Sequence, residues 1–394
     1  MTTGERFAWK PFLRLVASIA VPVALQNLLT TTGSMVDTMM IGALGQLNVA
    51  AVGLCAQYSS LLTACYWGFV GGGMLFFSQY WGAKDDEGID RSYGITLSFM
   101  MAVALIFGLV ALLAPQAIME LYTDKTSIQK IGVEYLRIVG FAYPLQVYSM
   151  AMAAVLRSTE RVRIPLVAAI CSVCTNIVMN WLLIGGHGGF PAMGIRGAAL
   201  ATVLAAAVNV LVTLVLARRA GHPYIFAVTR HFHWDRALLK EYFTKCSPII
   251  ANEVFIGIGN MVISVVLGHQ SEEAIAAVAV FRTLEGFIIG FFSGFSNAAS
   301  IVVGKEVGAG ELERAYQRAW RLTYLCQATI CLCVLFLLAV HTPLLHLMSL
   351  HDESFDICFG MLLVYGVAVI IRMGNWCQND TYRAAGDAAY GTIL

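Results

Sequence analysis

The sequence predicts an all-α, polytopic membrane protein of two parallel, pseudo-symmetric six-helix lobes, with about ten of the twelve helices inside these 394 residues. Three observations carry that prediction. The chain is 58% hydrophobic and only 12% charged, about half the charge of an ordinary soluble domain. Apolar runs of roughly 20 residues, the length that crosses a bilayer, recur along it. One pattern is also written twice. Residues 13–168 and 239–394 stay in step at a constant offset of 226 without a gap, as in Pro22/Pro248 (248 − 22), Gly68/Gly294, Gly82/Gly308, Gly140/Gly366 and Arg157/Arg383. An ungapped repeat of this length means two copies of one structural unit. Residues the copies share are then architecture, and residues they do not share are candidates for function.

Taken in order, the spans fall near 13–36, 47–76, 93–115, 132–155, 165–185, 194–217, 243–267, 275–303, 319–341 and 356–380. The first follows MTTGERFAWKPFLRL, which on its own resembles a cleavable leader. The repeat assigns 13–42 to the mature fold, because 239–268 is its counterpart. Basic residues alternate between loops. Arg157, Arg161 and Arg163 follow the fourth span; Arg218, Arg219, Arg230, Arg236 and Lys240 follow the sixth; Arg314, Arg318 and Arg321 follow the eighth. The positive-inside rule then puts the N-terminus and the linker after the sixth span in the cytoplasm. Six spans per copy return the chain to the same side, so the two halves run parallel. The expected division is an N-terminal lobe at 1–219, a cytoplasmic linker at 220–240 and a C-terminal lobe at 241–394. The first copy extends to Arg219, whose counterpart would be at 445 (219 + 226), so the second lobe is expected to stop short of its last two spans.

An ionised side chain in mid-bilayer costs on the order of 3 kcal/mol by insertion scales. The repeat asks whether the fold itself needs such residues. Asp37 aligns with Ile263, Glu253 with Asn27, Arg282 with Ala56, Glu285 with Ser59, Arg372 with Gln146 and Asp380 with Ala154. None of the charges is duplicated. Asp37 either reaches interfacial water from the end of its helix or stands in an interior cavity, where it takes up a proton or holds a hard cation. Asn176 and Asn180, four apart on one face of the fifth span, and Thr202 on the sixth could complete an oxygen shell; their plainer role is hydrogen bonding between helices. Glu253 follows Pro248, which can open a helix locally, so it is a candidate anionic anchor for a cationic substrate or second cation. Its plainer role is a hydrogen-bonded structural carboxyl. Arg282 and Glu285 join Glu253 as the candidate substrate or second-cation group, although, three apart on one helix, they are also positioned to neutralise one another. Arg372 and Asp380 lie toward opposite ends of the tenth span, where interface positions are expected.

Other chemistries find little support. A net charge of +1 supplies no basic surface for nucleic acid. Most of the ten cysteines fall inside spans and read as small buried apolar residues. The C-x-x-C at 171–174 lacks a second pair at zinc spacing. GFVGGG at 68–73 lies in an apolar span with no G-K-S/T after it, so it reads as close helix packing rather than a phosphate loop. No catalytic constellation emerges, and the chain does not read as an enzyme.

Several stretches resemble the multidrug and toxic compound extrusion (MATE) family: SMVDTMMIGALG at 34–45, the paired QYWGAK and KEVGAGELERA, NIVMNWLLIGGHGGFPAMGIRGAALATV at 176–203, and YRAAGD at 382–387. The resemblance covers nearly the whole chain. It implies a twelve-helix monomeric antiporter in the bacterial inner membrane, exporting organic cations or drugs against Na⁺ or H⁺ entry by alternating access, with no cofactor beyond the coupling ion. Its partners would be small organic cations and membrane lipid. Asp37, Asn176, Asn180 and Thr202 match the family's N-lobe cation or proton cluster, and Glu253 matches a seventh-helix acid of one subgroup. That subgroup's tenth-helix aspartate is Arg372 here, and LRSTER at 156–161 lacks the usual glycine. The runner-up function is a lipid-linked oligosaccharide flippase on the same architecture, followed by a membrane-embedded enzyme.

Overall fold

The computed structural model describes residues 8–226, 231–232, 236–267, 272–347 and 352–387; Arg230 lies outside them. Among the described residues there are thirteen α-helices and no strand. The first copy holds α1 (Trp9–Gly42), α2 (Gln46–Ala83), α3 (Asp86–Leu113), α4 (Pro115–Tyr122), α5 (Thr126–Val139), α6 (Ala142–Ser158), α7 (Arg163–Gly185) and α8 (Ile195–Arg219). The second holds α9 (Arg236–Leu267), α10 (Glu272–Gly308), α11 (Leu312–Ala339), α12 (His341–Leu347) and α13 (Asp352–Ala385). Among the described residues, eight helices are long and apolar enough to cross a membrane, or nine if α5 and α6 count as one bent span. The remaining long helix, α9, runs 32 residues and dilutes its apolar character with Lys240, Glu241, Lys245 and Glu253.

Local chemistry explains the boundaries. Asp85 caps α3 by accepting the Gly88 amide at 2.9 Å, and Asp86 and Glu87 occupy the first turn, where carboxylates favour the positive end of the helix. Arg218 and Arg219 close α8 at its negative end. The linker then folds back on the first lobe. The Tyr224 hydroxyl donates to Asp86 at 2.5 Å, and His231 Nε2 lies 2.7 Å from the Tyr224 carbonyl.

The offset of 226 reappears in three dimensions. Two short helices the spacing of apolar runs does not reveal, α4 and α12, begin at Pro115 and His341, which are a repeat pair (341 − 115). The fourth span departs from a single rod: α5 and α6 meet at 49°. Pro144 has no N–H to give the Gly140 carbonyl, so the helix parts there. That carbonyl instead faces Gly108, where a Cβ would stand only 3.1 Å from it. In the second copy Ile370 replaces Pro144, and α13 is continuous. The opening expected at Pro248 does not occur: Pro248 and its repeat partner Pro22 both lie inside unbroken helices. A helix can lose one hydrogen bond at proline and still continue when its neighbours hold it.

The copies pack by exchange. α1 lies against α10, α9 lies against α2, and α2 meets α10. Gly82 and Gly308, a repeat pair, permit that last contact. A Cβ on Gly82 would fall 1.9 Å from the Lys305 carbonyl oxygen, and one on Gly308 would fall 1.9 Å from that of Gln79. Within the lobes, α7 packs on α8 and α1, and α13 packs on α10 and α11.

Candidate functional site

The candidate residues fall into three polar clusters. The first joins α1, α5, α7 and α8. Close packing of α1 on α7, with Gly33 against Val173, turns Asp37 toward the interior of its own lobe rather than toward the helix end. Asn180 Nδ2 donates to Asp37 Oδ1 at 2.6 Å and to Asn176 Oδ1 at 3.2 Å. Asn180 is fully buried, and its own Oδ1 has no hydrogen-bond partner. The Thr202 hydroxyl donates back to the Ala198 carbonyl at 3.1 Å, so its oxygen is turned to accept. Tyr135 on α5, not singled out in the sequence, turns its hydroxyl toward Thr202 and Asp37. Its counterpart is Met361, so extending the comparison of copies to neutral polar residues would have flagged it. Carboxylate, amide and hydroxyl oxygens gathered this way fit a proton or a hard cation such as Na⁺, with the orphaned Asn180 oxygen as an available ligand.

The second cluster gives Glu253 the form of the plainer of its two expected roles, a hydrogen-bonded carboxyl. Arg383 Nη1 donates to Glu253 Oε1 at 3.3 Å, and Nη2 donates to Asn252 Oδ1 at 3.0 Å. Glu253 is therefore already paired rather than a free anchor. Asp380 joins the same cluster: it accepts from Ser296 and lies 3.7 Å from Arg383, with its side chain 17% exposed. The repeat supplies the reason. Arg157 donates to Gln26 Oε1 at 2.8 Å, and Arg157/Arg383 and Gln26/Asn252 are both repeat pairs. An arginine held to a side-chain carbonyl on the first helix is shared architecture, and the second copy adds acids around it.

The third cluster gives Arg372 a partner on another helix. Its Nη1 reaches Glu285 Oε1 at 2.8 Å, while Arg282 Nη1 lies 3.2 Å from Oε2 of the same carboxylate. Spacing along one helix showed the Arg282–Glu285 pair but not the partner on α13. The structure thus separates Glu253 from Arg282 and Glu285, which sequence reasoning had grouped. Elsewhere, an apolar cavity of about 220 Å³ lies between α1, α10 and α11, walled by residues including Val16, Ala20, Phe291 and Leu325. It presents no polar group to an ion.

Comparisons with known proteins fit this organisation. The MatE family pattern matches residues 22–182 and again 248–394, two matches that begin at the repeat pair Pro22 and Pro248. The probable multidrug resistance protein YoeA of Bacillus subtilis is 25% identical over 388 residues, spanning 97% of this chain and 83% of that relative. A crystal structure of MATE in the bent conformation superposes with a TM-score of 0.86 at 18% identity, over 97% of this chain and 84% of that one. The outward-facing conformation of a multidrug resistance MATE family transporter gives a TM-score of 0.84 at 19% identity, over 99% and 87%. Those two likenesses establish the two-lobed fold. Matched once in each copy of its repeat, the chain belongs to the MatE family: it is an integral, multi-pass membrane transporter and not an enzyme.

Proposed function

We propose that the protein is a secondary active exporter of organic cations or drugs, driven by entry of Na⁺ or H⁺ and working by alternating access. Lobes at 1–219 and 241–394, joined by a cytoplasmic linker, rock about the space between them. The protein works as a monomer in the bacterial plasma membrane with its N-terminus inside. The observation that carries this reading is Asp37: an unduplicated carboxylate held inside one lobe by a buried asparagine with a spare oxygen. A relative named for multidrug resistance supports export as the direction.

Coupling requires the ion to bind one state better than the other; a tenfold preference corresponds to about 1.4 kcal/mol. Asp37 supplies that difference by changing protonation or occupancy, with Asn176, Asn180, Thr202 and Tyr135 setting the geometry around it. The close contact of α2 with α10 at Gly82 and Gly308 supports the second half of the mechanism. It closes one end of the path, the cytoplasmic end by the distribution of basic loops, and it must part for the other state to form.

The test is efflux of a fluorescent organic cation from proteoliposomes under a sodium gradient and a pH gradient imposed separately. Asp37→Asn is expected to abolish gradient-driven efflux while leaving thermal stability intact. Undiminished transport by that variant rules Asp37 out as the coupling residue. The flippase reading rests on Arg282 and Arg372, but Glu285 cancels one of their charges, which leaves too little for a pyrophosphate.

A further inference from the structure

The apolar cavity between α1, α10 and α11 lies where the other copy is filled. Its α1 wall is built from small residues at helical spacing, Ala17, Ala20 and Ala24 beside Val16; Phe291, Phe295 and Leu325 face them. α1 and α11 each pack on α10 and scarcely on one another, so a groove is left between them. Leu13, Val21 and Phe291 remain exposed along its open edge. The offset of 226 carries this wall onto α9, α2 and α3. There Val16, Ala17, Ala24 and Leu325 become Tyr242, Phe243, Ile250 and Phe99. Phe243 meets the Phe99 ring edge-on at 4.8 Å, and Tyr242 is buried with its hydroxyl 2.8 Å from that of Thr96. The architecture therefore does not need the space. The first copy makes it with four smaller side chains.

The lining is wholly apolar, and a cavity of about 150 Å³ with such walls stays dry and accepts an apolar guest. From Leu13 to Ala24 the groove follows α1 for about 16 Å at 1.5 Å per residue. That is close to the depth of one leaflet, half of a hydrocarbon core about 30 Å thick. Cations gather at one end. Lys10 comes one turn before Leu13, Arg14 one turn before Ala17 and Arg321 one turn before Leu325, each on the side of its helix that lines the groove. Helical side chains lean toward their N-terminus, and α1 and α11 both start at the end where Gly82 meets Gly308. Lys10 and Arg14 are exposed and have no carboxylate partner among the described residues; Arg321 donates to Gln317 at 3.4 Å. Lys10 and Arg14 have basic counterparts in Arg236 and Lys240, as the positive-inside rule expects at that end, whereas Arg321 stands where the first copy has Ile95.

We propose that this groove is a site for an anionic phospholipid, with one acyl chain lying between α1, α10 and α11 and the phosphate meeting Lys10, Arg14 and Arg321. Basic pockets between transmembrane helices hold lipid headgroups in this way. Charge complementarity selects the occupant: a cationic solute would bring its charge either to three cations or to a wall with no acceptor. α1 belongs to the first lobe, and α10 and α11 belong to the second. The lipid thus supplies, between the lobes, the packing that Tyr242 and Phe243 supply on the other side. A ligand stabilises the state that binds it, so the lipid favours the arrangement in which the groove is formed. The inference goes beyond the exporter reading and needs no particular solute or coupling ion.

The test uses phosphatidylglycerol with a diazirine in one acyl chain, at a low fraction in phosphatidylcholine vesicles that hold the purified protein. The probe occupies both leaflets and no gradient is applied, so the outcome depends neither on orientation nor on Asp37. After illumination, peptide mass spectrometry is expected to place the label at Leu13–Ala24 and Phe291–Phe295. The matching phosphatidylcholine probe should label the groove no more than the other outer faces of the helices. Arg321→Gln should lower groove labelling about fivefold, the share of one basic residue near an anionic headgroup. Ala17→Phe combined with Ala24→Ile copies residues that α9 already accommodates; it should abolish groove labelling and keep thermal stability. If that variant fails to fold, Arg321→Gln decides alone. Label spread evenly over the outer helical faces overturns the proposal, as does equal labelling by the phosphatidylcholine probe. Groove labelling that survives the filled variant does so too. Displacement of the label by a fluorescent organic cation would give the groove to the solute, and a dimer, seen by mass, that shields this face would give it to a second copy; either result sinks the lipid assignment.

Discussion

Glu160 occupies a backbone position that normally calls for glycine. Its φ is 62°, and its repeat partner is Gly386 with φ of 100°. Both helices end in the same way. The Arg161 amide donates to the Leu156 carbonyl at 2.7 Å, and the Asp387 amide to that of Tyr382 at 3.0 Å, the six-residue closure that needs a left-handed residue just before it. A non-glycine residue there costs about 1 kcal/mol. In return the Glu160 carboxylate reaches Lys305 on α10 at 2.8 Å, an ion pair between the copies. The pseudo-symmetric contact is neutral: Gln79, the partner of Lys305, donates to the Ala384 carbonyl at 2.8 Å. Glu160→Gly is therefore expected to leave stability unchanged or slightly raised while loosening the closed end. Labelling of a cysteine placed at Gln79 should speed up; an unchanged labelling rate would show that the ion pair does not hold the lobes.

Proline placement decides the shape of whole helices, though not uniformly. Pro22 and Pro248 sit in continuous helices, whereas Pro144 marks a 49° break. At Gly140 the glycine and the facing Gly108 leave space for the chain to turn, and Phe141 caps the new helix without a side-chain bond. Pro144→Ile copies the residue of the second lobe and restores the missing donor. The expected result is a straighter α5–α6 rod. Spin-label distances between residues near Ser127 and Leu156 should lengthen; distances that stay fixed would assign the bend to packing against α3 instead of to the proline.

At the scale of the molecule, the first helix of each copy packs on the second helix of the other, so neither lobe closes its inner face alone. The glycines of the repeat set how near the copies approach. Gly82→Ala and Gly308→Ala each drive a methyl group into a backbone carbonyl of the opposite copy, at 1.9 Å in both cases. Backbone cannot swing aside as a side chain does, so each substitution should disfavour the closed end. Transport should fall while the helical content holds, and the two variants should behave alike. A large effect at one glycine and none at the other would break the proposed equivalence of the two contacts.

The sequence by itself determined the membrane class, the two copies and their offset, most spans, the family, and the charges the architecture does not share. It did so because bilayer thickness and helical period act along the chain: run length, spacing of three or four residues, and repetition are all readable in one dimension. Only the tertiary structure decided which charges meet. Asp37 finds Asn180 across 143 positions, Arg372 finds Glu285 across 87 and Arg383 finds Glu253 across 130. Burial penalises an unpaired charge wherever the fold places it, so partners are selected by how helices dock, and no local spacing records that. The arginine shared by both copies illustrates the division. The repeat identified Arg383 as architectural, and the docked helices made it the partner of Glu253.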